Sequence, residues 1–167
     1  MKAEQRFCPA CGARLTLRAL ENEGDVPYCE RCGEFRFPQY NVAVSMIVRR
    51  EDTGEILLIQ QYGRPSYILV AGYVNRGEAA EHAAAREILE ETGMTVTRLR
   101  FNRTRFFEPS NTLMINFTAY IRDAAELNTN GEIDRCAWFA PGDARASIRP
   151  GSLAEAFLNA YLDEQGE

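Results

Sequence analysis

The sequence predicts an α/β chain in two parts: a small cysteine-paired module, then one mixed α/β domain. Three observations lead there. Four of the five cysteines fall into two Cys-x-x-Cys pairs near the start. Beyond them, strand-like and helix-like segments follow in the order β-β-β-loop-α-β-β-β-α. One of these segments, residues 72–94, holds three glutamates at helical spacing. A length of 167 residues allows one ordinary core and a small appendage.

The first part rests on Cys8-Pro-Ala-Cys11 and Cys29-Glu-Arg-Cys32, with seventeen residues between the pairs. The opening residues Met1-Lys-Ala-Glu-Gln-Arg6 lead to Cys8 and not into an apolar signal core, which predicts a cytoplasmic protein. Disulfides are disfavoured there, so the spacing predicts a four-thiolate Zn²⁺ site at Cys8, Cys11, Cys29 and Cys32. Gly12 and Gly33 follow the second cysteine of each pair. They are predicted to let the chain turn so that N–H groups approach the sulfurs. Residues 1–36 are too few and too polar for a core, and metal-binding energy would replace it. The prediction is a zinc ribbon over 1–36 with a structural ion, since four protein ligands leave no open position. Cys136 is predicted to be a buried small hydrophobe.

The second part, 37–167, begins at a stiff junction, Phe37-Pro-Gln-Tyr40. Val42–Arg49 and Glu55–Gln60 read as strands around an Asp52-Thr-Gly54 turn, and Tyr67–Val70 as a third, short strand. A loop from Gly72 to Gly77 then leads into a helix from about Ala79 to Thr92. Its five alanines permit close packing on a sheet, Ile88 and Leu89 are predicted to form its buried edge, and Gly93 its C-terminal cap. His82 is predicted to be a solvated residue away from the glutamates. Arg98–Phe107, Thr112–Ile121 and Ile133–Phe139 read as the remaining strands. Leu153, Ala156, Phe157, Ala160 and Tyr161 recur at helical spacing, so a closing helix runs from Ser152, its N-cap, to about Asp163.

Chemistry concentrates in Gly72-Tyr-Val-Asn-Arg-Gly-Glu78 and Arg86-Glu87-Ile-Leu-Glu90-Glu91-Thr-Gly93-Met94. On a helix, Glu87, Glu90 and Glu91 share one side and repel by a few tenths of a kcal/mol per pair. A cation relieves that repulsion, and clustered carboxylate oxygens suit Mg²⁺ or Mn²⁺. Arg86 has the fork geometry to orient one of the carboxylates.

Gly72, Glu78, Arg86, Glu87, Ile88, Glu90, Glu91, Gly93 and Met94 fill every fixed place of the signature that the segment resembles, that of the Nudix hydrolases. The resemblance implies an α/β/α sandwich around a mixed sheet and metal-dependent hydrolysis of a nucleoside diphosphate linked to another group. It implies Glu90 and Glu91 as metal ligands, Glu87 as a ligand or the base, and the carbonyl of Ala71 as a further ligand. A later loop often adds an acidic ligand in this family; Glu132 is the first candidate and Asp134 the second. The ribbon, and Leu113-Met114 in the run from Phe106, resemble the NAD(H) pyrophosphatases, which act as homodimers and in some cases remove NAD caps from RNA. That subfamily's Gln-Pro-Trp-Pro run is absent: Arg105, Phe107 and Pro109 stand where Gln, Trp and Phe are expected. NAD(H) is therefore the leading substrate, with ADP-ribose, ADP-sugars, FAD, coenzyme A and dinucleoside polyphosphates open. Tyr73, Phe106 and Phe107, with Tyr62 and Tyr67, are candidates to stack a base.

Bulk properties set limits. With 46% hydrophobic and 26% charged residues and no long apolar run, the chain reads as a soluble globular protein. A net charge of −5 and the lack of a strong basic run argue against broad nucleic-acid binding, an NAD-capped RNA end excepted. Two readings from other classes compete: a non-enzymatic sensor of nucleotides, and a zinc-ribbon nucleic-acid binder.

Overall fold

A computed structural model of the chain describes residues 5–122 and 131–167. Two compact units meet in sequence at Tyr40 and Asn41. The first is a three-stranded antiparallel sheet in the order β1-β2-β3, from β1 (Thr16–Leu20), β2 (Gly24–Cys29) and β3 (Glu34–Phe35). Little of it is apolar and buried; Cys8, Val26 and Cys29 are the buried hydrophobic residues. Arg18 lies 3.6 Å over the Tyr28 ring and pairs with Glu30, which leaves a polar outer surface.

The second unit is built on a six-stranded mixed sheet. Its strands are β4 (Asn41–Arg50), β5 (Ile56–Gln61), β6 (Val70–Tyr73), β7 (Arg98–Phe107), β8 (Thr112–Ile121) and β9 (Ile133–Phe139). The order is β7-β8-β4-β5-β9, and β6 also pairs with β4. The β4–β8 pair is parallel over ten residues and every other pair is antiparallel. At its far end β4 meets β5 through Arg49 and Ile56; nearer its start it pairs instead with β6, from Ala43–Tyr73 to Met46–Val70. Both central strands read as near-continuous apolar runs because both faces are covered.

Helix α1 (Ala80–Thr92) lies on one face, with Ala83, Ala84 and Ile88 against Val44, Met46, Val48, Leu57 and Ile59. On the other face, α2 (Pro141–Ser147) and α3 (Leu153–Gln165) bury Ala144, Phe157, Leu158, Tyr161 and Leu162 against Ile47, Ile56 and Leu58. This is the expected α/β/α sandwich. The alternation of these faces follows the two-residue period of a strand.

Several local expectations hold. The Ser152 hydroxyl accepts from Glu155 N–H at 3.0 Å as N-cap of α3, and Gly93 caps α1 at φ 73°. Others need correction. The third domain strand is Val70–Tyr73, so Gly72 and Tyr73 are strand residues, and Ile68 makes only an isolated bridge to Ile59. Leu89 is exposed, because α1 turns Ala83, Ala84 and Ile88 inward. Cys136 is half-buried, packed against the core under α1. Helix α2 is an addition; its start, Pro141 after Ala140, is a common N1 signal.

Candidate catalytic carboxylate cluster and cysteine site

The loop before α1 is shaped by two glycines. Gly77 sits at φ 81°, a conformation that strains other residues. Gly72 is required for space: a methyl group there would overlap the carboxyl group of Glu87. Strand β6 thus presses its backbone onto α1 at the point where Glu87 emerges. The Glu78 side chain accepts from Asn75 N–H at 2.9 Å and closes the loop.

Arg86 organises the carboxylates. Its Nε and Nη2 donate to the two oxygens of Glu78 at 2.8 and 3.0 Å. Its Nη1 donates to Glu87 at 2.7 Å and to Glu90 at 3.0 Å, and Nη2 also reaches the Tyr73 carbonyl at 3.1 Å. One guanidinium therefore holds three glutamates and ties α1 to β6. It keeps the Glu78 carboxyl down at about 2 and raises its own basicity. The sequence suggested one oriented carboxylate; the fork reaches three, because loop, strand and helix converge on it.

Glu91 differs from its neighbours. It is only 4% exposed, and among the described residues its hydrogen-bond partner is Gln61 of β5, whose amide donates at 3.3 Å. Burial, then the charge of Glu87, push its carboxyl up to about 7; the Glu132 charge acts in the same direction. Arg86 compensates Glu78, Glu87 and Glu90 but makes no contact with Glu91. A buried carboxylate among others fits a hard divalent cation. Glu87, Glu90 and Glu91 are the carboxylates here that could hold such an ion. The carboxylates do not converge as closely as the thiols do: among the described residues, only the four cysteines form a tight set of three or more ligands.

The loop before β9 approaches from the other side. Tyr62, at φ 56°, points its hydroxyl at Glu132 at 3.4 Å. The Glu132 charge raises the Tyr62 hydroxyl. Asp134 accepts from Gly63 N–H at 2.6 Å and so braces the turn after β5. The sequence proposed both acids for one role; the geometry gives Asp134 a bond from the Gly63 N–H and Glu132 one from the Tyr62 hydroxyl, with the Glu132 charge felt at Glu91.

Of the aromatic candidates, Tyr67 belongs to the core, edge-on to Phe139 at 5.0 Å. Tyr73, Phe106 and Phe107 are exposed. Cross-strand partners share a face, which separates them. Phe106 pairs with Leu113 and lies on the α1 side, whereas Phe107 and Tyr73 lie on the α3 side. His82 is exposed, as the helix spacing suggested.

In the first unit, the Sγ atoms of Cys8, Cys11, Cys29 and Cys32 lie within 4.8 Å of one another. The Cys8–Cys32 and Cys11–Cys29 separations are 3.9 and 3.5 Å. Tetrahedral Zn²⁺ with bonds near 2.3 Å places sulfurs about 3.8 Å apart, whereas a disulfide needs about 2.05 Å. Gly12 and Gly33 do supply positive φ, but their N–H groups bond the Cys8 and Cys29 carbonyls at 2.8 Å. Neighbouring N–H groups approach the sulfurs as expected: that of Cys32 reaches Cys29 at 3.4 Å, and those of Ala10 and Cys11 bond Cys8. Arg36, which the sequence did not single out, donates to Cys8 Sγ at 3.3 Å. Burial opposes ionisation of Cys8, but the backbone at Ala10 and Cys11 and the Arg36 guanidinium outweigh it and hold the thiol at about 6. Cys32 is pushed up to about 12 by Cys11 and Cys29.

The chain is thus of the class of mixed-sheet α/β/α sandwiches with a carboxylate cluster on the last turns of the first helix. The sequence matches the NUDIX domain family over residues 39–157, and the chain belongs to that family. It is 29% identical over 98% of its length to the NAD-capped RNA hydrolase NudC of Vibrio parahaemolyticus, and 30% identical over 94% to that of Vibrio cholerae. The chain spans 62% and 57% of those two proteins. Among solved structures, a NUDIX hydrolase from Nitrosomonas europaea superposes with a TM-score of 0.65 at 22% identity, covering 96% of this chain and 92% of that one. The NUDIX domain of Shewanella oneidensis NrtR, complexed with ADP ribose, gives 0.63 at 15%, covering 84% and 94%. These two likenesses concern the fold. No helix among the described residues is long and apolar enough to cross a membrane.

Proposed function

We propose that this chain is a divalent-metal-dependent hydrolase that opens the pyrophosphate bond of a nucleoside diphosphate joined to a second group. NAD(H), cut to nicotinamide mononucleotide and AMP, is the leading substrate, either free or as the cap of an RNA. The observation that supports this most directly is the Arg86 clamp beside the buried, uncompensated Glu91. A purely structural helix has no reason to bury a fourth carboxylate beside three others.

Glu87, Glu90, Glu91 and the Ala71 carbonyl would hold Mg²⁺ or Mn²⁺, with Glu132 the added acidic ligand. Such an ion screens phosphate charge and lowers the pKa of a bound water. Arg86 keeps Glu78, Glu87 and Glu90 in fixed orientations, so little reorganisation accompanies binding. Glu87 would serve either as a ligand or as the base that accepts the proton of the attacking water, whose oxygen bonds to phosphorus as the bridging P–O bond breaks. Tyr73, Phe106 and Phe107 are the rings offered to bases. The four cysteines would hold structural Zn²⁺ in a ribbon over 1–36, ahead of the hydrolase domain over 37–167. Unpaired thiols at that site suit the cytoplasm. A homodimer completes the proposal, by likeness to the NAD(H) pyrophosphatases, and light scattering tests it.

The test is a panel of diphosphates: NADH, NAD⁺, ADP-ribose, FAD, coenzyme A and diadenosine tetraphosphate, with Mg²⁺ or Mn²⁺ and products resolved by chromatography. Metal-dependent cleavage that Glu90→Gln removes is the expected result. Tight binding without turnover would establish the sensor reading instead.

A further inference from the structure

Strand β7 reads Arg98-Leu-Arg-Phe-Asn-Arg-Thr-Arg-Phe-Phe107, with four cations and no acid in a chain of net charge −5. Among the described residues it is the outer strand of the sheet and pairs with β8 alone. Strict alternation would put Arg98 and Arg100 on one face and Arg103 and Arg105 on the other. The register shifts by one residue between Phe101 and Arg103. Asn102 is the extra residue; its amide bonds Asn116 at 2.8 Å and Thr118 at 3.0 Å. The bulge therefore returns Arg103 and Arg105 to the face of Arg98 and Arg100. Their partners, Tyr120, Thr118, Asn116 and Met114, alternate consistently on the α3 side, and Arg103 pairs with Glu164 of α3. Three of the four, Arg98, Arg100 and Arg105, are exposed.

This ladder of arginines spans about 23 Å of a strand about 30 Å long, with roughly 6.6 Å between alternate residues. Its last residues, Phe106 and Phe107, pair with Leu113 and Thr112, which align with Val42 and Asn41 at the start of β4. Gly72 pairs with Val44 at that same end of the sheet. The ladder thus runs away from that end of the sheet on the α3 face, opposite the α1 face that carries the carboxylates. A chain leaving the cluster would round the sheet end past the exposed rings of Phe106 on the α1 side and Phe107 on the α3 side. Evenly spaced guanidinium groups beside stacking surfaces suit an extended single-stranded polynucleotide.

We propose that β7 is the track for the RNA chain attached to a capped substrate, and that it distinguishes capped RNA from the free dinucleotide. The proposal rests on the reading of the site as one that opens such a diphosphate. The sequence hid the track, because the spacing of the arginines changes by one at the bulge.

The test is the double variant Arg98→Gln/Arg100→Gln, remote from the carboxylates, assayed with NADH and with NAD-capped single-stranded RNAs of two and ten nucleotides. Each phosphate contact to a single strand contributes about 0.7 to the salt exponent. Two lost contacts should therefore raise KM for the ten-nucleotide RNA about 25-fold at 0.1 M salt, with the difference vanishing towards 1 M. NADH and the two-nucleotide RNA, too short to span the roughly 23 Å from Phe107 to Arg100, should be unaffected. Unchanged KM for the long RNA would overturn the proposal and leave β7 as a charged edge protected against pairing. An equal loss with all three substrates would overturn it too, as damage to the site itself. Fluorescence anisotropy of the labelled ten-nucleotide RNA, with and without the substitutions, judges the track even if no substrate is cleaved.

Discussion

Glu91→Gln should stabilise the metal-free protein at pH 8 while abolishing hydrolysis. In the folded chain, burial and the Glu87 charge raise the Glu91 carboxyl from 4.5 to about 7. The folded state thus binds this proton more tightly than the unfolded state. Its contribution is fully present below pH 4.5 and is lost as pH rises through about 7. The span converts to about 3 kcal/mol as an upper figure, and relaxation around a buried amide brings the expected gain to roughly 1–3 kcal/mol. Urea unfolding of zinc-loaded protein, without added Mg²⁺ or Mn²⁺, at pH 5 and pH 8 measures it. Other titrating groups contribute to both proteins, so the quantity to read is the difference between the two pH dependences. The wild type should lose more stability than the variant between these pH values, and adding Mn²⁺ should recover the loss in the wild type alone. Parallel curves, or an equal response to Mn²⁺, would show that Glu91 carries no uncompensated charge, and the cation-site argument would fail.

Arg86→Lys should lower kcat by tenfold or more with a smaller change in KM, because an ammonium cannot serve three carboxylates in a planar fork; steady-state kinetics with a circular dichroism control decides it. Gly72→Ala should cost at least as much, since the added methyl displaces Glu87; a wild-type rate would deny the close approach. Metal analysis should find one zinc per chain, and Cys29→Ser should release it; a zinc-free folded ribbon would contradict the assignment. Preference for NADH over ADP-ribose should stay below a thousandfold, about 4 kcal/mol, because the segment 103–111 lacks the subfamily's Trp and Phe; comparing kcat/KM under one metal condition tests this.

The elements legible in the sequence are those set by local rules. The strands Arg98–Phe107, Thr112–Ile121 and Ile133–Phe139 carry unbroken β-forming runs between turn residues, and their bounds coincide with the structure. Ser152 and Gly93 mark helix ends because capping involves only neighbouring residues. The cysteine pairs likewise declare their cluster through spacing. What escaped depends on partners distant in sequence. Leu89 satisfies an apolar pattern, yet the sheet lies under Ala83, Ala84 and Ile88. Tyr67 resembles a mouth aromatic until Phe139 packs on it. Arg36 has no motif; only the folding of β3 beside the first cysteine pair brings it to Cys8.

Charge, too, is legible as composition but not as arrangement. Glu78, Glu87, Glu90 and Glu91 look equivalent in a list of acids, and helical spacing groups the last three. The fold divides them differently. Arg86 reaches back eight residues to Glu78 and forward to Glu87 and Glu90, so these three share one guanidinium. Glu91 is turned towards Gln61 and the interior, beyond that cation's reach. Were the cluster only a solvated acidic face, the most exposed glutamate would be the unpaired one. Here the order is reversed: Glu90, 55% exposed, has its counter-charge, and Glu91, 4% exposed, does not. Burying the unpaired member is costly in isolation, and a divalent ion held by these carboxylates would offset that cost.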